Sequence, residues 1–169
     1  MEPIRLNPQH SDAYRYLMLE AYERHPDAFT SSVQERAALP LSWWKARLSE
    51  AAEPSEIVFG SFVSGALVGV AGLSFEYRQN AKHKANLFGM YVRDSCRTSG
   101  LGGQLVDAAM TCARSRPGVL LIQLTVTEGN LAALALYQRK GFVQFGLEPF
   151  AVAVGSGFVN KVHMWRRLV

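Results

Sequence analysis

Leu87-Phe88-Gly89-Met90-Tyr91-Val92, followed after four residues by Arg97-Thr98-Ser99-Gly100-Leu101-Gly102-Gly103, is the stretch that decides how the rest of the chain is read. Its first part is a strand-like apolar run. Its last part is glycine-rich and opens a helix-like run, Leu101 to Ala113. Gly100, Gly102 and Gly103 remove side chains where that helix begins, so backbone N–H groups approach an anion closely. The first-turn N–H groups have no intrahelical partners, and the helix dipole favours negative charge there. Arg97 adds a charged donor for a phosphate. The stretch therefore reads as strand, phosphate cradle and helix, with a tight strand-to-helix turn as the plainer alternative. Two rival fingerprints fit less well. A dinucleotide site needs G-x-G-x-x-G after the first strand and an acid about twenty residues on. A Walker loop needs Lys-Ser/Thr after its second glycine, where Gly103-Gln104 stands.

Outward from this stretch the elements alternate. Pro3 to Leu6 is a short strand, and Asp12 to Arg24 a helix with Ser11 or Asp12 as cap. A polar stretch from Asp27 leads to Pro40. A second helix is expected from Leu41 to Ala52, capped by Ser42. Glu56 to Val63 and Ala66 to Tyr77 form a hairpin about the turn Ser64-Gly65. Ala85 to Val92 is the next strand. The helix Gly100 to Ser115 stops at Pro117-Gly118, and Val119 to Thr127 is a buried strand. Gly129-Asn130 opens another helix, closed by Gly141. Strands at Phe142 to Glu148 and Val159 to Leu168 finish the chain, with Glu148 to Gly157 between them as a mobile lip. This order implies an α/β domain over residues 1–169. Its mixed, partly antiparallel central sheet has about seven strands flanked by about four helices. The unit from Leu87 to Thr127 is expected to be parallel, with a ligand beyond its strand carboxyl ends.

Asn130 and Tyr137 are seven residues apart and share a helix face. Asn130 suits a helix cap, and Tyr137 a core aromatic with a satisfied hydroxyl. Taken with the cradle they carry more. Phe88-Gly89-Met90-Tyr91-Val92 with Arg97 to Gly103 resembles the first motif of the GNAT N-acyltransferase superfamily. Asn130, Ala132-Ala133, Leu136-Tyr137 and Gly141-Phe142 resemble its second. The likeness covers about Ala85 to Phe145, and His25-Pro26-Asp27-Ala28-Phe29 is similar to a segment of some members.

The resemblance implies a splayed strand pair with acetyl-CoA between its arms. Backbone groups of Met90, Tyr91 and Val92 would pair with the pantetheine arm. Arg97, Thr98, Ser99, Gly100, Leu101, Gly102 and Gly103 would hold the pyrophosphate. Asn130 would contact the cofactor, and Tyr137 would stand near the sulfur as the catalytic acid. The implied reaction is direct attack of a primary amine, from a small molecule or peptide, on the thioester. Many relatives carry a glutamate base on a splayed strand; the matching positions here are Asn86 and Thr125, and neither is a useful base. Glu76 and His83 are the remaining base candidates, and Glu128 reads as a favourable charge at a helix start. Phe29, Trp43 and Trp44 are candidates for the acceptor wall or for ordinary packing.

The chain has 169 residues, 49% hydrophobic and 19% charged, which allows one domain with a substantial core. Its net charge of +4 and pI near 9.3 suit a polyanionic cofactor, and its basic residues are too scattered for a nucleic-acid surface. The uncharged run Ile57 to Phe75 holds four glycines and a turn, so it reads as a hairpin and not a membrane span. Cys96 and Cys112 form no metal or redox motif, no metal is expected, and no signal-peptide pattern is seen. A cytoplasmic monomer or homodimer follows as the expectation. The function that the resemblance implies is then an acetyl-CoA-dependent N-acetyltransferase; the alternative is an acyl-CoA-binding sensor domain that kept the cradle and lost the chemistry.

Overall fold

Ser64 and Gly65 both have positive φ, 49° and 81°. That backbone matches the right-handed twist of two strands joined by a two-residue turn. It folds the strand Glu56–Val63 (β2) antiparallel onto Ala66–Phe75 (β3). The remaining elements of the computed structural model, which describes residues 2–169, are laid on this hairpin. They are β1 (Ile4–Arg5), α1 (Ser11–Arg24), α2 (Val33–Ala37), α3 (Leu41–Ala46), β4 (Lys84–Val92), α4 (Leu101–Ser115), β5 (Leu121–Thr127), α5 (Leu131–Arg139), β6 (Val143–Val154) and β7 (Gly157–Arg167).

The strands form one mixed sheet in the order β1-β2-β3-β4-β5-β7-β6. Neighbours are antiparallel except β4 and β5, which are joined through α4 and run parallel. Both faces are covered, and so β3 is buried almost continuously instead of alternating. On one face Leu105, Val106 and Ala109 of α4 pack with Leu73, Ala85 and Ile122. On the other, Leu17 and Met18 of α1 and Trp44 of α3 pack with Val58, Val70 and Tyr91.

Three expectations are corrected. The helix from Leu41 ends at Ala46, and Pro40, not Ser42, stands at its cap. The Ser49 hydroxyl takes the Ala51 N–H at 3.2 Å, and Arg5 takes the Ser49 carbonyl at 2.6 Å, which diverts the groups a longer helix needs. The polar stretch before Pro40 contains α2, closed by a capping box: Glu35 N–H to Ser32 Oγ at 3.1 Å, and Ser32 N–H to Glu35 Oε2 at 2.8 Å. The tract Glu148 to Gly157 is paired strand. β6 and β7 continue to the turn at Gly155, with an irregularity between Glu148 and Val152 where Phe150 has φ 53°.

Two phenols are locked in the second core. Tyr14 meets Trp44 edge-on at 5.6 Å, and burial pushes its pKa up to about 12 against the pull of Arg47. Tyr91 is pushed up to about 12 by burial and by its hydrogen bond to Glu20, 3.0 Å long. Both folded values lie above the ordinary value of about 10. The stability they contribute is whole below pH 10 and is lost as pH rises from 10 to 12, where only the unfolded chain ionises. Thermal melts should therefore hold level from pH 7 to 9 and fall between pH 10 and 12; Tyr14→Phe should soften that fall.

Candidate active site

The register of β4 against β5 stops after three pairs: Lys84 with Leu121, Ala85 with Ile122, and Asn86 with Gln123. Past that point β4 continues with β3 as far as Val92 opposite Gly69, and β5 continues with β7 as far as Thr127 opposite Lys161. The two strands share no further hydrogen bonds, so each presents an unpaired edge to the other. A bulge bends β4 at the parting. Between the pairs Val70–Tyr91 and Gly72–Phe88, the single residue Ala71 faces both Gly89 and Met90. Gly89 takes φ 57°, the left-handed backbone that such a bulge requires. The result is a cleft of about 1280 Å³ running from the start of α4, between β4 and β5, to α2 and α3.

Of the residues singled out in the sequence, Met90, Tyr91, Val92, Arg97, Thr98, Gly100, Leu101, Gly102, Gly103, Asn130 and Tyr137 line this cleft. Ser99 does not; its hydroxyl turns back to the Cys96 carbonyl. Tyr91 and Leu101 offer the cleft mainly backbone, because their side chains are 4% and 7% exposed in the two cores. The Gly100 carbonyl accepts the Gln104 N–H at 3.1 Å. The amides from Thr98 to Gly103 donate to no group among the described residues, so the cradle has donors to spare for an anion. Gly102 has a second role. A Cβ there would come within 3.3 Å of both Leu136 and Met90, so its bareness lets α4 approach α5 and β4.

Arg97 is held in place. Its Nε donates to the Val92 carbonyl at 3.1 Å, and its guanidinium meets Asp94 at 2.9 Å and His25 at 3.2 Å. This ties the strand end to the loop while leaving half the side chain exposed. Tyr137 is buried, edge-on to Phe142 at 5.9 Å. Its hydroxyl has no hydrogen-bond partner among the described residues, and burial pushes the phenol well above its usual range.

Glu76 and His83 are not brought to the site. The Glu76 carboxylate pairs with Arg78 at 3.0 Å, and the His83 carbonyl accepts the Leu120 and Leu121 amides. Both lie by the first residue of β4, the end away from Val92, and neither lines the cleft. Asn86 is likewise outside the lining, whereas Thr125 is part of it. Trp44 is fully buried core, and Phe29 and Glu128 line the cleft. The sequence reading missed Tyr22, Arg36, Arg47, Glu56 and Lys161, all in the lining. Burial lowers the Lys161 pKa. No spacing pattern joins these residues, because they come from α1, α2, the end of α3, β2 and β7. Among the described residues no cluster of His, Cys, Asp or Glu is arranged to hold a metal, and no helix is long and apolar enough to cross a membrane.

Asn130 caps α5. Its Oδ1 accepts the Ala133 N–H at 3.2 Å, and this cap holds the first turn of the helix that carries Tyr137. Asn130→Ala should lower stability by about 1 kcal/mol in urea titrations, whereas Asn130→Ser or Asn130→Asp should recover most of it.

Comparison with known proteins agrees with this geometry. The family model described as Acetyltransferase (GNAT) family matches residues 15–142. The L-methionine sulfoximine/L-methionine sulfone acetyltransferase of Pseudomonas paraeruginosa is 32% identical over 113 residues, which are 64% of this chain and 60% of that relative's own length. The acetyltransferase of the GNAT family from Streptococcus pneumoniae superposes with a TM-score of 0.86 at 23% identity, over 98% of each chain. The structure of yncA from Salmonella typhimurium with its cofactor acetyl-CoA superposes with a TM-score of 0.81 at 19% identity, over 100% of this chain and 94% of that one. With its parted strands, its amide cradle and a family match running from α1 to the end of α5, the chain belongs to the acetyltransferase (GNAT) family.

Proposed function

We propose that the chain is one acyltransferase domain that moves an acetyl group from acetyl-CoA to a primary amine of a small molecule or peptide. The observation that carries this reading is the convergence on one cleft of unpaired amides at Thr98 and at Gly100 to Gly103, the open edge of β4, and the unpartnered Tyr137 hydroxyl. The cradle fits a diphosphate, with spare N–H donors, a helix start and Arg97 beside them. The β4 edge from Leu87 to Val92 suits an extended amide-bearing arm, which would add to the sheet as another strand does. The acetyl-CoA in the yncA structure belongs to that protein; for this chain it supports the choice of donor. The two thiols, Cys96 and Cys112, are free, which suits a reducing, cytoplasmic setting.

In the reaction the amine must reach the thioester uncharged, and a free alkylammonium has a pKa near 10. The acids that line the cleft are Asp27, Glu56 and Glu128. As the nitrogen attacks, backbone N–H groups at the Gly89–Met90 bulge stabilise the charge that develops on the carbonyl oxygen. As the C–S bond breaks, Tyr137 gives its proton to the departing sulfur, and the proton shed by the newly bonded nitrogen passes through solvent to restore the phenol. Its burial keeps the hydroxyl protonated throughout the neutral and mildly alkaline range, so it remains an acid there.

Tyr137→Phe should lower kcat by about 10²- to 10⁴-fold, while the calorimetric Kd for acetyl-CoA stays within about twofold. In the wild type, kcat/KM should rise with pH as the amine loses its proton, with no descending limb up to pH 10. Undiminished turnover in Tyr137→Phe, or a falling limb near pH 8, would remove the tyrosine from the mechanism.

A further inference from the structure

Two guanidinium groups line the cleft on its α2 and α3 side, and both lie against one indole. Arg36 and Arg47 each place the guanidinium carbon 4.5 Å from the centroid of a Trp43 ring. Arg47 also lies 5.0 Å from the Phe88 ring. Stacking on aromatic faces orients a guanidinium while leaving its edge N–H donors free. The charges are poorly balanced. Glu56 meets Arg47 at 3.4 Å, but Arg36, which also neighbours the Tyr22 phenol, has no ion pair among the described residues, and its Nε is buried without a partner. The neighbouring Glu35 is spent on the Ser32 N–H. The other acids of the cleft stand by the end of β5, where Thr127 bonds the Asp27 carbonyl and Asn160 bonds the Glu128 carboxylate. A buried donor without an acceptor costs stability, and a fork of donors beside a cavity matches a planar oxyanion.

The position also bears on the chemistry. Phe88, which touches Arg47, comes just before the Gly89–Met90 bulge. At a strand rise of about 3.3 Å per residue, Met90 is only about 7 Å farther along β4. A compact molecule with its amine at the bulge therefore has its other end among the arginines. On the reading that the cleft transfers acetyl groups to amines, we propose that the acceptor is an amino carboxylic acid whose carboxylate is held by Arg36 and Arg47 on Trp43. A polyamine would bring positive charge to two cations and be repelled.

The test pairs each of the common L-amino acids with its own carboxamide, with spermidine alongside, and reads CoA release with a thiol reagent. At least one acid should exceed its carboxamide in kcat/KM by about 10- to 100-fold, the range for a hydrogen bond to a charged group. In Arg36→Gln the KM for that acid should rise by about the same factor. Its kcat, the carboxamide's KM and the acetyl-CoA KM should stay within about threefold. Arg36→Lys should recover part of the loss. A purely structural role would shift all three KM values together and would overturn the proposal, as would a carboxamide or spermidine used as well as the acids. Calorimetry of the same acids and amides against the protein with CoA in place of acetyl-CoA separates this inference from the transferase reading. Acid binding that needs Arg36, without CoA release, would sink the transferase reading alone. Acetyl transfer with no preference for acids would sink the carboxylate site alone.

Discussion

The parting of β4 from β5 after three residue pairs is the constraint on which the rest depends. A parallel pair that continued would leave no room between the strands and no free backbone edge. Here each strand stays in the sheet through its other neighbour, β3 for β4 and β7 for β5. The polar edges that face one another are therefore solvated or open to a ligand, and the sheet still holds on both sides. The bulge at Gly89–Met90 bends β4 where the split begins and re-aims the residues beyond it.

Once the strands part, the rest of the cleft follows from packing. α4 must start at the mouth of the split, because it follows β4 after a short loop, and its free amides then face the gap. α5 must lie close to it, and Gly102 permits that approach to Leu136 and Met90. That closeness brings Tyr137 to the cleft wall. The same glycines that bare the amides thus set the distance between two helices. Polar anchors hold the rim: Arg97 ties Val92 to Asp94 and His25, and Thr127 bonds the Asp27 carbonyl at 2.7 Å, linking the end of β5 to the loop after α1.

The second face carries a different logic. α1, α2 and α3 cover the sheet with an aromatic core of Tyr14, Tyr22 and Trp44, and at its margin Trp43 supports two arginines. Their positive charge is only partly answered by Glu56, so this end of the cleft differs in sign preference from the end near Glu128. Tyr137 and the two arginines therefore come from opposite layers of the fold and meet only across the open sheet.

The strand–cradle–helix run from Leu87 to Ala113 and the pair Asn130 and Tyr137 were legible in the sequence, because each is a local pattern of glycine, helix start and spacing. So was the hairpin about Ser64-Gly65, since its turn residues accept positive φ. The capping box Ser32–Glu35 was equally local and went unread, and a local hydroxyl contact at Ser49 shortened α3. The three-dimensional fold alone decided what distant segments share. It carried Glu76 and His83 away from the cleft, because they lie by the first residue of β4 and the cleft opens beyond Asn86. It brought Arg36, Arg47, Glu56 and Lys161 together from separate elements, because charges on a short helix, a helix end and two strands have no common period in sequence and become neighbours only when the layers close over the sheet.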